Sequence, residues 1–188
     1  TNLQVSVLFI GDDANQVLVR GQIQDNASKI LQALEKTPLK NSVLTPFEGW
    51  RVTGDVAGSF NLKIPLSKEL NPFVDLNLKF QQNNVMLAQA DLPLDVESGR
   101  LHYQSSKGLY DTEFDVETLG GKSHLMLTSQ FAEDGSLIVS GAFSGDIDAH
   151  EVALWRTAPK PVLSRLEGKT SYSGELEIGR NKPGQIDI

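Results

Sequence analysis

The chain has 188 residues, 39% of them hydrophobic and 7% aromatic, with a formal net charge of −7 and a pI of about 4.9. Without a basic cluster, this acidic balance argues against nucleic acid and against charge-driven docking on an anionic membrane surface. The absence of cysteine removes disulfides, thiolate metal sites and a cysteine nucleophile, and no apolar run approaches the ~20 residues of a spanning helix.

The hydrophobic fraction is lean for a compact globule of this length and suits a thin, elongated β structure. The chain begins at Thr1 rather than at a methionine, with no signal peptide, and reads as a segment of something longer. In chain order, Leu3–Ile10 reads as a strand, Gly11–Asn15 as a turn, and Gln16–Ile23 as the returning strand, with Val17, Val19 and Ile23 on one side. The period then changes to that of a helix, about 26–36. Asp25 or Asn26 can cap it, Ala27, Ile30, Leu31 and Leu34 form its apolar stripe, and Thr37-Pro38 stops it. Its expected role is to cover one end of a sheet. Residues 38–50 form a loop ending in Phe47-Glu48-Gly49-Trp50.

The stretch from Trp50 to Leu66 organises the rest. Alternation places Val52, Val56, Phe60, Leu62 and Ile64 on one face, and Arg51, Thr53, Asp55, Asn61 and Lys63 on the other. Gly54 and Gly58 fall in the apolar register, which predicts bending or a close approach by another group. Pro72 opens the next strand, where Val74, Leu76, Leu78 and Phe80 alternate with polar residues. Gln81–Asn84 reads as a turn and Val85–Leu87 as the start of a short partner, which Leu92-Pro93-Leu94 limits to an edge or a break. Gly99–Tyr103 is a further strand. After the turn at Ser105–Gly108, Tyr110, Thr112, Phe114, Val116 and Thr118 face one way, while Asp111, Glu113, Asp115 and Glu117 face the other. Leu125, Leu127 and Phe131 continue the pattern, Asp134-Gly135 signals a hairpin, and Leu137, Val139, Phe143 and Ile147 complete it. A second short helix is expected at about 149–156, with one more helical turn at Val162–Leu166. A final strand follows through Tyr172, Leu176 and Ile178, and residues 180–184 read as a turn or loose.

The order hairpin, helix, Glu-Gly, strand occurs twice. Gly21 and Gly141 are 120 positions apart, and Gly49 and Gly168 are 119 apart. Recurrence at this scale predicts an array of units, each contacting its neighbours.

No constellation for catalysis emerges. His102, His124 and His150 have no partner at metal-ligand spacing, and His102 and His124 fall on the solvated face. Gly121-Lys122-Ser123 matches the end of a phosphate-binding loop, but Val116 stands where its first glycine belongs and no helix follows. There is no Gly-x-Ser-x-Gly element. The carboxylates Asp111, Glu113, Asp115 and Glu117 invite a sugar-hydrolysis reading; a charged outer face that discourages edge pairing explains them better. The chain is expected not to be an enzyme, and to hold no metal and no cofactor.

Several motifs together carry a resemblance. They are Gly49-Trp50-x-Val52-x-Gly54, Gly58-x-Phe60-x-Leu62-x-Ile64-Pro65-Leu66, Leu92-Pro93-Leu94, Gly99-x-Leu101-x-Tyr103, Gly108-Leu109 and Leu119-Gly120. In this order, after a helix ending in Thr37-Pro38-Leu39, they resemble a recurrent segment of the AsmA-like, YhdP-type proteins of Gram-negative bacteria. The likeness covers roughly residues 17 to 147, and the tail looks like the start of the next unit. It implies repeating β-groove units in a long periplasmic protein, anchored in the inner membrane by an N-terminal helix outside this segment. Such proteins are similar to the eukaryotic bridge-like lipid transfer proteins. They are implicated in phospholipid movement toward the outer membrane and in envelope integrity.

The expected fold is mainly β: a long, curved antiparallel sheet forming an open groove, with two short amphipathic helices. Residues 1–133 would form one unit and 134–188 the start of the next. A dozen strands at about 4.8 Å would extend roughly 55–60 Å, and twist would curl them into a trough. Its expected lining is Val52, Val56, Phe60, Leu62, Ile64, Val74, Leu76, Leu78, Phe80, Phe114, Val116, Leu125, Leu127, Val139 and Phe143. The expected partners are phospholipid or another acyl-chain lipid, and neighbouring units of the same chain. Two other readings compete: a compact β-sandwich serving as a binding or adhesion module, and a structural spacer of an envelope protein.

Overall fold

The computed structural model describes residues 3–10, 14–35, 50–65, 71–87, 91–133, 135–163, 165–179 and 182–187. The elements are β1 (Leu3–Ile10), β2 (Ala14–Asn26), α1 (Ala27–Glu35), β3 (Arg51–Thr53), β4 (Asp55–Pro65), β5 (Phe73–Leu87), β6 (Leu92–Gln104), β7 (Gly108–Thr118), β8 (Gly121–Phe131), β9 (Leu137–Asp148), α2 (Ala149–Trp155), the single turn α3 (Lys160–Leu163), β10 (Lys169–Gly179) and β11 (Lys182–Asp187). All the described strands belong to one antiparallel sheet in the order β1-β2-β4-β5-β6-β7-β8-β9-β10-β11, with β3 also paired to β5. The path ends in β1 at one side and β11 at the other, so the sheet stays open. A sandwich needs a second sheet, and the described strands form only one. The pairing of β8 with β9 carries the sheet across the unit boundary expected near residue 133.

The accessible surface is 12168 Å², whereas a compact chain of 20.6 kDa would expose about 8,900 Å². An excess of this sign accords with a sheet in one layer.

The Trp50–Pro65 stretch is bent as its glycines imply. Gly54, at φ +98°, separates β3 from β4, and both pair with β5: Val52 opposite Val85, and Phe60 opposite Leu76. Asn83 holds the kink. Only 1% exposed, it donates from Nδ2 to Thr53 O at 3.2 Å and Asp55 O at 3.1 Å, and its Oδ1 accepts from Gln81 N at 2.7 Å. One amide thus satisfies three backbone groups that the kink takes out of the ladder. Gln81–Asn84 is therefore not a turn but an irregularity inside a 15-residue strand, with Gln82 at φ 56°.

Three further features differ from the sequence reading. Leu92-Pro93-Leu94 and Gly99–Tyr103 are one strand, β6. Pro93 is tolerated because β7 ends at Thr118, so the ladder on that side has stopped, and Thr118 Oγ1 donates to Pro93 O at 2.8 Å. Tyr110 does not share a face with Thr112. A register shift between β6 and β7, with Asp111 at φ 43°, turns Tyr110 outward beside His102, their rings 5.5 Å apart. Residues 182–187 form β11 rather than a loose tail. Thr37-Pro38, Glu48-Gly49, Leu66, Asp134 and the tip of the first turn, residues 11–13, lie outside the described residues.

The internal echo is present in the backbone. Each helix interrupts the connection between two strands that pair antiparallel, β2 with β4 and β9 with β10. Asn26 Oδ1 accepts from Ser28 N at 3.1 Å, as Asp148 Oδ1 accepts from His150 N at 2.8 Å. Ala27 N donates to Gly54 O at 2.8 Å, as Ala149 N does to Gly168 O at 3.0 Å. Both glycines have positive φ, +98° and +107°. Gly168 therefore corresponds to Gly54 in place of the expected Gly49.

Antiparallel alternation puts both helices on one long margin of the sheet, with Asp91 and the Leu119-Gly120 turn. The opposite margin carries the Ser105–Lys107 hairpin. The helix α2 lies across the strand ends of the first margin: Asp148 N donates to Leu119 O at 2.9 Å, and Trp155 Nε1 donates to Asp91 O at 3.1 Å.

Candidate functional site

Register turns the alternation within strands into rows across them. One row runs Val56, Phe80, Gly99, Phe114, Leu125, Phe143, Gly174 over β4 to β10. From Val56 to Phe143 it crosses six strands, about 24 Å. Glycine opposite phenylalanine is a packing solution: a Cβ on Gly99 would lie 2.2 Å from Phe114 Cδ1, and the Phe114 ring meets Phe80 edge-on at 5.3 Å. Elsewhere glycine lets backbones approach. A Cβ on Gly58 would lie 2.0 Å from Asn77 O, and one on Gly121 would lie 1.8 Å from Asp146 O.

The curled inner face encloses an apolar cleft of about 150 Å³. Its floor comes from β4 to β9, and Ala27, Ile30 and Leu31 of α1, with Trp50 and Val52, lean over one side. Among the described residues no charged side chain lines it. Nine of the fifteen expected lining residues do so: Val52, Val56, Leu76, Leu78, Phe80, Phe114, Val116, Leu125 and Leu127. Phe60, Leu62, Val74 and Val139 pack in the same apolar cluster without lining the cleft. Phe143 is half-buried, its ring 5.6 Å from that of Tyr172. Ile64 is 40% exposed near the hairpin margin.

The sequence reading missed Val85, Leu94, Val96, Leu101, Tyr103, Leu109 and Leu137, all of which line the cleft. The alternation of the five on β5 and β6 was legible, but splitting those strands at polar residues and Pro93 hid its continuity. It also treated α1 as an end cap, whereas Ala27, Ile30 and Leu31 form part of the wall.

The outer face is charged and paired. Arg100 meets Glu113 at 3.2 Å, Lys122 meets Glu97, and His124 Nδ1 lies 2.8 Å from Asp115 Oδ1. The His124 hydrogen bond, reinforced by Ser98 Oγ at 3.0 Å, holds the Asp115 carboxyl below its ordinary value. Glu113 and Asp115 are therefore engaged with different partners on a solvated surface. Among the described residues no group of His, Asp and Glu is arranged to hold a metal ion, and no helix is long and apolar enough to cross a membrane.

A family profile described as YhdP protein matches residues 1–188. The chain belongs to the YhdP family. Comparison with curated proteins and with solved structures finds no match. The YhdP family is an AsmA-like envelope family; the described residues of this chain form a one-layer sheet with a charged outer face and an apolar cleft on its other side.

Proposed function

We propose that this YhdP-family chain is a segment of a periplasmic, inner-membrane-anchored protein that carries phospholipid acyl chains along an apolar groove between the inner and outer membranes. The observation that carries the reading is the uncharged cleft opening onto rows of apolar side chains that continue from strand to strand. A hydrocarbon chain lying along such a row meets apolar atoms at every strand. It can advance without passing through water, and no bond is made or broken.

Each methylene removed from water is worth about 0.8 kcal/mol. The enclosed cleft, about 150 Å³, holds only a benzene-sized stretch. The rest of a sixteen-carbon chain therefore lies along the open part of the row. Partial contact of this kind suits passage better than storage, because a fully engulfed chain would leave slowly. Neighbouring units of the same protein would extend the rows beyond β1 and β11. Head groups stay at the margins, in water.

The test is native mass spectrometry of the protein after incubation with vesicles of phosphatidylethanolamine and phosphatidylglycerol. Bound phospholipid is expected for the parent protein. Leu127→Asp, which places a carboxylate at a position 5% exposed on the cleft wall, is expected to remove that binding while circular dichroism still reports β structure. A parent protein that takes up no lipid from vesicles, and carries none from the cell, overturns the reading.

A further inference from the structure

The apolar inner face carries a few hydroxyls, and most are committed to backbone. Thr112 Oγ1 donates toward Tyr110 O at 3.1 Å and His102 O at 3.3 Å, and Thr118 Oγ1 donates to Pro93 O at 2.8 Å. Ser129 Oγ accepts from Leu109 N at 2.6 Å. Ser123 and Tyr172 are different, because they meet each other, Oγ to OH, at 2.7 Å. Two hydroxyls bring two protons and share one hydrogen bond. The second proton has no acceptor among the described residues.

Their meeting depends on the strand between them. Ser123 on β8 and Tyr172 on β10 both stand opposite Gly145 of β9. A Cβ there would lie 2.5 Å from Ser123 Oγ, so glycine leaves the space in which the two hydroxyls reach across a whole strand. The row continues in the other direction through Val116 to Val96, both on the cleft wall. The pair therefore stands just outside the apolar cleft, next to Val116 on its wall, one inward position from the margin that carries the helices. Ser123 is 7% exposed.

We propose that Ser123 and Tyr172 are a carbonyl-binding hydroxyl pair that holds the ester linkage of an acyl lipid whose chain lies in the cleft. This rests on the acyl-chain reading above and adds what fixes the lipid's depth and orientation. The spare proton suits a neutral acceptor. An ester carbonyl is the acceptor joined directly to the hydrocarbon, and no cation stands in the row to favour a phosphate. A bare hydrocarbon chain offers the pair nothing, whereas an acyl ester offers both the chain and its acceptor.

The experiment compares dioleoylphosphatidylethanolamine with its diether counterpart, which differs only in lacking the two carbonyl oxygens. Vesicles containing both in equal amounts are mixed with the protein, and native mass spectrometry reads the ratio bound. The expected excess of ester over ether is about fivefold, which one neutral hydrogen bond sustains. Tyr172→Phe combined with Ser123→Ala should bring the ratio to about one by lowering the ester lipid bound, while the ether lipid is still taken up. An equal ratio in the parent protein overturns the hydroxyl assignment and leaves the groove reading standing. So does an ester preference that persists in the double variant. Binding of neither lipid removes the groove reading, and the assignment with it. Because the parent protein alone carries the ester-to-ether comparison, poor folding of the variant would not rescue the idea.

Discussion

Gly58→Ala tests whether the sheet is bent as described. Gly58 lies in β4 opposite Leu78 of β5, and an added Cβ would sit 2.0 Å from Asn77 O and 3.0 Å from Leu78 Cα. Ordinary contact begins near 3.4 Å, so more than an ångström must be found. The obstructing atoms are backbone, and no rotamer change can move them aside. Alanine in place of glycine also lowers the entropy of the unfolded chain, worth about 0.4–1 kcal/mol in its favour. Overpacking against a fixed neighbour costs about 1–3 kcal/mol, and this site is at the upper end because two paired strands must separate. A net loss of about 2 kcal/mol corresponds to a fall in Tm of about 4–8 °C for a chain of this size. Thermal unfolding followed by far-ultraviolet circular dichroism reads the shift. If Gly58→Ala melts at or above the parent temperature, β4 does not approach β5 as closely as the structure has it, and the curl of the groove is misjudged.

Asn83→Leu should cost about 3 kcal/mol, because Thr53 O, Asp55 O and Gln81 N lose their buried partner together; the urea midpoint should fall by about 1–2 M, and an unchanged midpoint would show that water replaces the amide freely. The Asp115 carboxyl, followed by NMR, should titrate below the ordinary aspartate value and rise toward it in His124→Ala, since the His124 hydrogen bond is the first cause of its lowering. A carboxylate lowered in the folded state stabilises fully above its unfolded value of about 3.9. That contribution is lost as pH falls through the lower folded value. The surface pair is screened by solvent, so the loss should stay under ~1 kcal/mol, and a stability change from Asp115 between about pH 7 and 5 would contradict the assignment.

Much of this protein is legible in local pattern. Side chains alternate with period two along any strand, so the apolar face of β4, β5, β7 and β8 could be read without knowing which strand lay beside which. Helix starts were equally local, because Asn26 and Asp148 cap through bonds two residues ahead. The bend at Gly54 and Gly58 was visible as two glycines where apolar side chains belonged.

Continuity was not local. Runs of polar amides usually end strands, and Gln81–Asn84 does not, because Asn83 finds its partners in Thr53 and Asp55, thirty and twenty-eight residues away. Pro93 breaks nothing because β7 happens to end beside it. Tyr110 changed faces through a register shift that only the pairing of β6 with β7 defines. The hydroxyls of Ser123 and Tyr172, separated by 49 positions, meet only because Gly145 lies between them. Alternation within a strand belongs to the sequence by itself, since stereochemistry fixes it residue by residue; the rows across strands, and hence the cleft, were decided by tertiary structure, since register is a property of pairs.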